Sequence, residues 1–388
     1  MDTADVRYGG PYERPVLALY MADLTGGGAE RMMINLARGF ADRSVHVDLV
    51  LANAVGPYLR EVPTSASVVD LASGGVLRSL PKLVRYLRKR RPDAMLVTLR
   101  HSSVVALWAR RLARLSMPVF VREANTFSEA QQDGLRDRVL AALVRRVYPW
   151  ADGIIAVAQD VAADVVEHAK VPESRVYTLY NPVITPDVAN NALEPVDHPW
   201  FAAGAPPVIL GAGRLSEQKD FGTLIRAFAR LREQREARLV ILGEGARRLE
   251  LEALITMLGV DGYVSLPGFV TNPFAYMSRS AVFVLSSRWE GLPSVLIQAM
   301  ACGCPVVSTD CPGGPREVLD SVRYGPLVPV GDQAALAGAI CGLLSSPTQA
   351  DVLRARANDY SVEQVIPDYL HLLLTSGNKT KGASRSGL

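Results

Sequence analysis

Residues 282–301 read Val-Phe-Val-Leu-Ser-Ser-Arg-Trp-Glu-Gly-Leu-Pro-Ser-Val-Leu-Ile-Gln-Ala-Met-Ala and divide into a strand, a turn and a helix. The apolar run at 282–285 is typical of a buried parallel strand. A Glu-Gly-Leu-Pro turn follows, and the apolar periodicity after it predicts a helix with Pro293 at its first position, where a missing N–H costs nothing. Because free N–H groups at a helix start favour phosphate, the segment predicts an anion site beside the carboxylate of Glu290.

A carboxylate next to an anion site suits a sugar phosphate, and here the sequence resembles a known family. The segment is similar to the Glu-x7-Glu motif of retaining GT-B glycosyltransferases of the family 4 type, which include bacterial polysaccharide and lipid-linked sugar transferases. The resemblance implies that Glu290 and the backbone after it hold the donor sugar, and that the second acidic position holds the ribose. This chain has Gln298 there, and an amide still accepts and donates hydrogen bonds. The alternative is an ordinary turn with an unrelated acidic residue. The implied backbone positions are Gly291, Leu292, Pro293 and Ser294.

Length and composition indicate a globular protein of two domains. The 388 residues exceed one typical core. No apolar run approaches the roughly 18 residues of a membrane span, and residues 1–14 lack the apolar core of a signal peptide. The four cysteines show no zinc-type spacing, so we expect buried free thiols in a reducing, cytoplasmic compartment. These cysteines are Cys302, Cys304, Cys311 and Cys341.

Positive charge is concentrated in one region of the first half. Between Arg78 and Arg146 there are 16 Lys and Arg against 5 Asp and Glu. Such a patch suits an anionic surface, although it is equally compatible with solvated helix faces. Aromatic residues are not interleaved with the charges, which argues against nucleic acid as a partner. We therefore expect, if the patch is functional, contact with an anionic membrane surface at the inner face of the membrane.

The first half alternates strand and helix patterns, which predicts a parallel sheet built from βα units. A strand at 16–21 leads into Thr-Gly-Gly-Gly-Ala-Glu-Arg at 25–31. Glycines allow close backbone approach to a ligand, and the helix start attracts phosphate. The loop resembles the family's Gly-Gly-Ala-Glu-Arg segment, which implies that Gly27 and Gly28 face donor phosphate and Glu30 the acceptor side. A plain tight turn is the alternative.

Polar residues follow two later strands of the same half. The strand at 94–99 ends at Arg-His-Ser, and the ends of parallel strands are where α/β proteins bind ligands. The resemblance implies that His101 faces the donor sugar or the acceptor hydroxyl. Glu123 and Asn125 follow the next strand and are acceptor-side candidates on the same reasoning. Structural or solvated roles are the alternative for all three.

The second half restarts the α/β alternation with a strand at 208–211. The loop after it, Gly-Arg-Leu-Ser-Glu-Gln-Lys at 213–219, carries two cations ahead of a helix. Two such cations can neutralise a diphosphate leaving group. The loop is similar to the family's Gly-Arg-Leu-x-x-x-Lys motif, which implies this role for Arg214 and Lys219, with Gly213 against the donor. The turns containing Gly245 and Val270 are implied to flank the nucleobase.

The predicted fold class is α/β, namely GT-B, with two Rossmann-like doubly wound domains that face each other across a cleft. We expect an N-terminal acceptor-side domain at 1–183, a linker at 184–206 and a donor domain at 207–362. A helix at 363–376 is expected to pack back onto the first domain, and 377–388 to be a disordered tail.

The expected reaction is transfer of a hexosyl or N-acetylhexosaminyl group, with retention, from a UDP-sugar or GDP-sugar to a glycan or lipid-linked acceptor. The chain contains no Asp-x-Asp, so neither a metal nor another cofactor is expected. Two alternatives stay open. One is a nucleotide-sugar epimerase or hydrolase of GT-B type, which needs further acid/base carboxylates. The other is a catalytically weak nucleotide-sugar-binding scaffold, which the substitution at Gln298 favours.

Overall fold

The computed structural model describes residues 14–127 and 135–375, and in these residues the chain forms two parallel β-sheets with helices between the strands. The strands are β1 (Val16–Met21), β2 (His46–Leu51), β3 (Ala66–Asp70), β4 (Ala94–Thr98), β5 (Val119–Glu123), β6 (Gly153–Ala156), β7 (Val176–Thr178), β8 (Val208–Ala212), β9 (Arg238–Leu242), β10 (Val264–Gly268), β11 (Val282–Leu285), β12 (Val306–Thr309) and β13 (Leu327–Val328).

Helices follow most of the strands, as the alternation of sequence patterns predicts. They are α1 (Gly28–Ala41), α2 (Leu80–Arg90), α3 (Arg100–Ala113), α4 (Leu135–Val147), α5 (Gln159–Ala169), α6 (Val188–Leu193), α7 (Phe221–Arg232), α8 (Arg248–Met257), α9 (Pro273–Arg279), α10 (Ser294–Ala301), α11 (Pro315–Val318), α12 (Gln333–Ser345), α13 (Ala350–Asn358) and α14 (Val362–Thr375).

The first sheet has the strand order β3-β2-β1-β4-β5-β6-β7. β1 pairs in parallel with both β2 and β4, so the strand order reverses at β1. In open α/β sheets this reversal leaves a crevice at the carboxyl ends of the strands, where ligands bind. The loop 25–28 follows β1 and the first turn of α3 follows β4, so two of the predicted site segments lie at this reversal.

The second sheet has the order β10-β9-β8-β11-β12-β13, and all its pairings are parallel. β8 and β11 are buried along their whole lengths because helices cover the sheet, which explains their continuous apolar sequences. Ile209 and Val284 pack in one core with Phe228 of α7 and Ile340 of α12. The adjacency of β8, β11 and β12 places the three loops after them side by side.

The described residues separate into two compact units. Unit 1 contains 14–121, 150–153 and 369–375, and unit 2 contains 122–127, 135–149 and 154–368. Within unit 1 the ring of Tyr369, on α14, lies 6.4 Å from that of Phe40 on α1. The sequence-based domain boundaries remain a prediction, and the tail expected at 377–388 lies outside the described residues.

Three local features differ from the sequence expectations. Pro293 is the N-cap of α10, and Ser294 is its first residue. The Arg-His-Ser segment at 100–102 is the first turn of α3 instead of a loop. The expected linker contains α6, which has little apolar periodicity but is held by tertiary contacts, since Asn272 and Arg279 donate to backbone carbonyls of α6 at 2.8 and 3.0 Å.

The cysteines are free thiols, as expected, and Cys302, Cys304 and Cys311 are buried. Burial raises the pKa of Cys302 to about 12. Among the described helices, none combines the length and apolar character needed to cross a membrane.

Candidate active site

Glu290 and Lys219 form the centre of the candidate site in unit 2. Lys219 Nζ donates to Glu290 Oε1 at 2.5 Å, and Ser287 Oγ donates to the same oxygen at 2.6 Å. The two charged side chains are 16% and 7% exposed, so the pair is largely removed from water. Because Oε1 accepts two hydrogen bonds, the carboxylate has a fixed orientation. No hydrogen bond from the described residues is found for Oε2.

The loops that carry this pair are joined by hydrogen bonds. Gln218 O accepts from the N–H of Arg288 at 2.8 Å, and Gln218 Nε2 donates to Trp289 O at 2.9 Å. Ser286 Oγ donates to Lys219 O at 2.8 Å. These bonds, one between backbone groups and two from side chains to backbone, hold the loop after β8 against the turn after β11 and so keep the ammonium near the carboxylate.

Arg214 lies on the same loop and is exposed. In the part of the chain that the structure describes, no hydrogen bond or ion pair is found for its guanidinium. The charge of Lys219 is partly offset by Glu290, whereas that of Arg214 is available to a ligand. Gly213, with φ +155°, lies under the Lys219 side chain, and a Cβ added there would be 3.2 Å from Lys219 Cε.

The loop after β12 forms a third wall of the site. Gly313 has φ +111°, and a Cβ added there would lie 2.2 Å from Glu290 O. Pro312 O accepts from the N–H of Glu290 at 3.0 Å, and Gly314 N–H donates to Gly291 O at 2.6 Å. Gly313 is not among the site residues predicted from the sequence. The sequence signal that could have identified it is the Gly313-Gly314 pair, which follows a buried strand and precedes a helix. The turn at Glu290 likewise places a glycine between a buried strand and a helix.

Gly291 is in close contact with the segment after β5. It pairs with Asn125 in an isolated antiparallel bridge. A Cβ added at Gly291 would lie 1.8 Å from Ala124 O, so no other residue fits this backbone path. The structure thus brings together Asn125 and the turn that holds Glu290, two segments that the sequence analysis treated separately.

The helix start after Glu290 is formed as predicted, apart from the shift of one residue. Leu292 and Pro293 are buried, while Ser294 and Gln298 are half-buried. Gln298 lies in the second turn of α10, and no hydrogen bond from its side chain is found among the described residues.

The turn at 243–245, one of the two implied to flank the nucleobase, packs on the loop after β8. A Cβ added at Gly243 would lie 2.0 Å from Gly213 O, and one at Gly245 would lie 2.3 Å from Leu215 O. This stacking of backbone on backbone requires glycine at both positions. Val270 is half-buried beside Phe269, which is 70% exposed.

The glycine-rich loop in unit 1 leads directly into α1. Gly28 is the first helical residue, Gly27 is the N-cap and Gly26 has φ +113°. A Cβ added at Gly27 would lie 2.6 Å from Glu30 Oε2, so the Glu30 carboxylate lies against this backbone. A carboxylate at this position interacts favourably with the positive, N-terminal end of the helix dipole. A phosphate group would be attracted to the same end of the helix.

His101 is exposed in the first turn of α3. Desolvation by the protein around the ring lowers its pKa, against an opposing effect from the Asp23 carboxylate. Exposure and desolvation coexist because part of the ring surface is open while protein atoms crowd the rest. The imidazole is therefore neutral at pH 7 and can act as both a donor and an acceptor.

Glu123 is the last residue of β5 and is only 4% exposed. Its Oε1 accepts a hydrogen bond from the Tyr148 hydroxyl. The carboxylate is thus held inside unit 2 instead of projecting from the strand end as Asn125 does.

Two family models match the chain. The model described as Glycosyltransferase Family 4 matches residues 26–185, and the model described as Glycosyl transferases group 1 matches residues 206–346. They include the glycine-rich loop in the first half and both motifs of the second half.

Two relatives and one solved structure support the match over most of the chain. An N-acetylgalactosaminyltransferase of Campylobacter jejuni is 30% identical over 331 residues, which cover 82% of this chain and 87% of that protein. The lipopolysaccharide core biosynthesis glycosyltransferase LpsE of Rhizobium meliloti is 28% identical over 361 residues, or 89% and 96% of the two chains. HepE of Anabaena, solved with UDP-glucose, has the same fold with a TM-score of 0.75 at 21% identity, over 93% of this chain and 99% of HepE. The chain therefore belongs to glycosyltransferase family 4 and is a glycosyltransferase with the GT-B fold.

Proposed function

We propose that this enzyme transfers a hexosyl or N-acetylhexosaminyl group from a UDP-sugar or GDP-sugar to a glycan or lipid-linked acceptor, with retention at the anomeric carbon. The observation that carries the proposal is the Lys219–Glu290 pair, a fixed cation and carboxylate on glycine-lined loops at the ends of adjacent strands. The relative from C. jejuni supports the acceptor class, since its name gives a diphospho-undecaprenol-linked acceptor. HepE supports the donor class, because it was solved with UDP-glucose.

In the proposed reaction the bond between the anomeric carbon and the diphosphate breaks, and its electron pair leaves with the diphosphate. Arg214 and Lys219 stabilise the charge that develops on this leaving group. Amide groups at the start of α10 and at Gly27 and Gly28 add further donors. The acceptor oxygen then bonds to the same face of the sugar, which is the geometry that retention requires, and its hydroxyl proton passes to the oxygen of the departing diphosphate.

Glu290 orients the donor sugar in this proposal. Since Oε1 already accepts from Lys219 and Ser287, the second oxygen is the one that binds sugar hydroxyls. Gln298 binds the ribose. Gly213 lies against the diphosphate, and Gly245 and Val270 flank the nucleobase. His101, in its neutral form, positions the donor sugar or the acceptor hydroxyl.

Glu30 and Asn125 are proposed as acceptor-side residues. Glu123 acts indirectly, because its carboxylate is bound to Tyr148 and fixes the strand end that precedes Asn125. No metal or other cofactor takes part in the proposed mechanism, since the two cations supply the charge that a metal ion supplies in other transferases.

We also propose that a cytoplasmic, anionic membrane surface is a partner, as suits a lipid-linked acceptor. Five cationic side chains at the end of α2 and just after it are exposed, namely Arg85, Arg88, Lys89, Arg90 and Arg91. Each cation near such a surface contributes about 1 kcal/mol, which salt screens. Charge reversal at 88–91 should lower vesicle binding at low salt, and unchanged binding would leave these residues as a solvated face.

The donor proposal is tested by calorimetry with UDP, GDP and ADP on the wild type and on a double variant with Arg214→Ala and Lys219→Ala. We expect one nucleotide to bind the wild type and to bind the double variant at least about tenfold more weakly, the loss of one charged hydrogen bond or more. The matching nucleotide sugars are then assayed with lipid-linked acceptors, and the anomeric configuration of the product is determined. Inversion would contradict retention. Hydrolysis or epimerisation without transfer would favour the epimerase or hydrolase alternative, and no nucleotide binding would favour the scaffold.

A further inference from the structure

A cavity of about 500 Å³ lies in unit 1 between α2 and strands β2 and β3. His46 and Asp48 of β2 and Ser67 of β3 line one side, and Asp48 pairs with Ser67 in the sheet register. Lys89 and Arg90, in the last turn of α2, line the other side. Val69 and Tyr86 complete the lining, which therefore combines apolar surface with more positive than negative charge.

Asp48 organises the wall of this cavity. It is 3% exposed, and its Oδ2 accepts from Tyr86 Oη at 2.7 Å and from Arg90 Nε at 2.8 Å. Its Oδ1 lies 3.1 Å from His46 Nε2. With both oxygens engaged, the carboxylate holds the arginine and histidine in place, and the positive charge of Arg90 offsets its negative charge.

The groups that face the cavity are suited to a phosphate. Arg90 uses only Nε on Asp48, and among the described residues no partner is found for its two terminal nitrogens, which can bind two phosphate oxygens together. Lys89 adds a second cation, and the Ser67 hydroxyl adds a neutral donor. The charges of Asp48, Arg90 and Lys89 sum to one positive unit.

This cavity is remote from the donor-binding loop of the same sheet. His46 pairs with Val16 at the amino end of β1, whereas the glycine-rich loop follows Met21 at its carboxyl end. Five residues of strand correspond to about 17 Å. A ligand in the cavity therefore occupies a place that the transfer reaction does not use.

We propose that this cavity is a second ligand site, which binds a phosphate ester through Arg90 and Lys89. The ligand is either a soluble phosphomonoester or the phosphate of a lipid headgroup, which share this chemistry. The site is independent of the proposed donor and acceptor.

The test uses the full chain at low ionic strength, with sn-glycerol 3-phosphate in calorimetry and with phosphatidylcholine vesicles that contain or lack phosphatidylglycerol. We expect Lys89→Gln to weaken binding about tenfold, the effect of losing one charged hydrogen bond. Arg90→Lys, which keeps the charge but loses the planar fork, should weaken it as well. Lys89 is exposed, so Lys89→Gln is expected to fold normally.

Two control variants locate the binding. Arg85→Gln removes the same charge from the same helix but outside the lining, and Lys219→Ala removes a cation of the donor site; both should keep the affinity for glycerol phosphate within about twofold. On vesicles, Arg85→Gln should lose only the share of one cation of the membrane-facing patch, roughly fivefold, which is less than the loss in Lys89→Gln. Binding of glycerol phosphate identifies a soluble ester, and binding to phosphatidylglycerol vesicles alone identifies a headgroup; either supports the site. The proposal is overturned if neither probe binds, or if Lys89→Gln binds as tightly as the wild type. It is also overturned if Arg85→Gln loses as much affinity as Lys89→Gln, or if only Lys219→Ala loses affinity.

Discussion

Lys219 and Glu290 are 71 positions apart in the chain, and the ammonium of the first donates to the carboxylate of the second at 2.5 Å. Their loops meet because β8 and β11 are neighbours in the second sheet. The pair is a structural element as well as a candidate catalytic one, since each charge compensates the other in a largely buried position. Donor binding and stability are therefore expected to depend on the same two side chains.

Lys219→Ala should destabilise the protein, whereas Arg214→Ala should not. Removing Lys219 leaves a buried carboxylate for which Ser287 is the one donor found in the described residues, at a cost of about 2–4 kcal/mol in the free energy of unfolding. Arg214 is exposed, so its removal should change stability by less than about 0.5 kcal/mol. Denaturant unfolding measures both, and nucleotide calorimetry should show weaker binding in both variants. Equal stability of the two variants would contradict the compensating role of the ion pair.

Gly313→Ala should lower stability and donor binding together. The added Cβ meets Glu290 O at 2.2 Å and the residue has φ +111°, so the loop must move, at a cost of about 2 kcal/mol or more. The matched control is Gly338→Ala on α12, where nothing lies within 4 Å of the added atom. There we expect stabilisation by about 0.5–1 kcal/mol, because alanine is the better helix former. Thermal unfolding and nucleotide titration of both variants check the contrast, and a Gly313→Ala protein with normal affinity would refute it.

Gln298→Glu should tighten nucleotide binding. A carboxylate at this half-buried position makes charge-assisted hydrogen bonds to a ribose diol, so we expect about threefold to tenfold higher affinity. Gln234→Glu introduces the same charge at an exposed position in the same unit and should leave affinity unchanged. Calorimetry with the preferred nucleotide decides the matter. Unchanged or weaker binding in Gln298→Glu would place the ribose elsewhere.

The pH dependence of transfer should depend on His101. Its pKa is lowered from 6.5, so the neutral form persists at pH 7 and kcat/KM should fall only at pH values below 6.5. His101→Asn should reduce the rate and remove this acid limb, while His371→Asn, at an exposed position on α14, should retain it. An unchanged acid limb in His101→Asn would assign that titration to another group.

The same shift has a consequence for stability. Below pH 6.5 the unfolded chain takes up a proton at this histidine before the folded protein does, so His101 lowers the free energy of unfolding as pH falls from 6.5 to its folded pKa. Above 6.5 the residue is neutral in both states and contributes no pH dependence. Denaturant unfolding of wild type and His101→Asn across this range should therefore differ in slope only on the acid side.

Transfer should survive chelation of divalent metals. The chain has no Asp-x-Asp motif, and Arg214 and Lys219 supply positive charge to the leaving diphosphate. Initial rates with EDTA should match those without it, and adding magnesium should give no large gain. Activity that EDTA abolishes and magnesium restores would contradict the metal-independent mechanism.

The sequence by itself determined the α/β class, most strand positions and, in unit 2, the glycine-containing segments at 213–219 and 243–245 and the turn at 290–293. These features depend on local patterns, because a buried parallel strand is continuously apolar and a close backbone approach requires glycine. Residues 282–285 and 213–219 were recognisable for that reason.

Only the tertiary structure decided which of these segments meet. Strand order places the loops after β8, β11 and β12 side by side, and this order is not encoded in the local pattern of any one strand. It brought Lys219 onto Glu290, Gly313 under the same turn and Asn125 against Gly291. It also enclosed Glu123, which sequence position alone placed at an open strand end, because Tyr148 returns to bind its carboxylate. Pairing and burial of charges depend on neighbours distant in sequence, so they follow from the fold rather than from the motif.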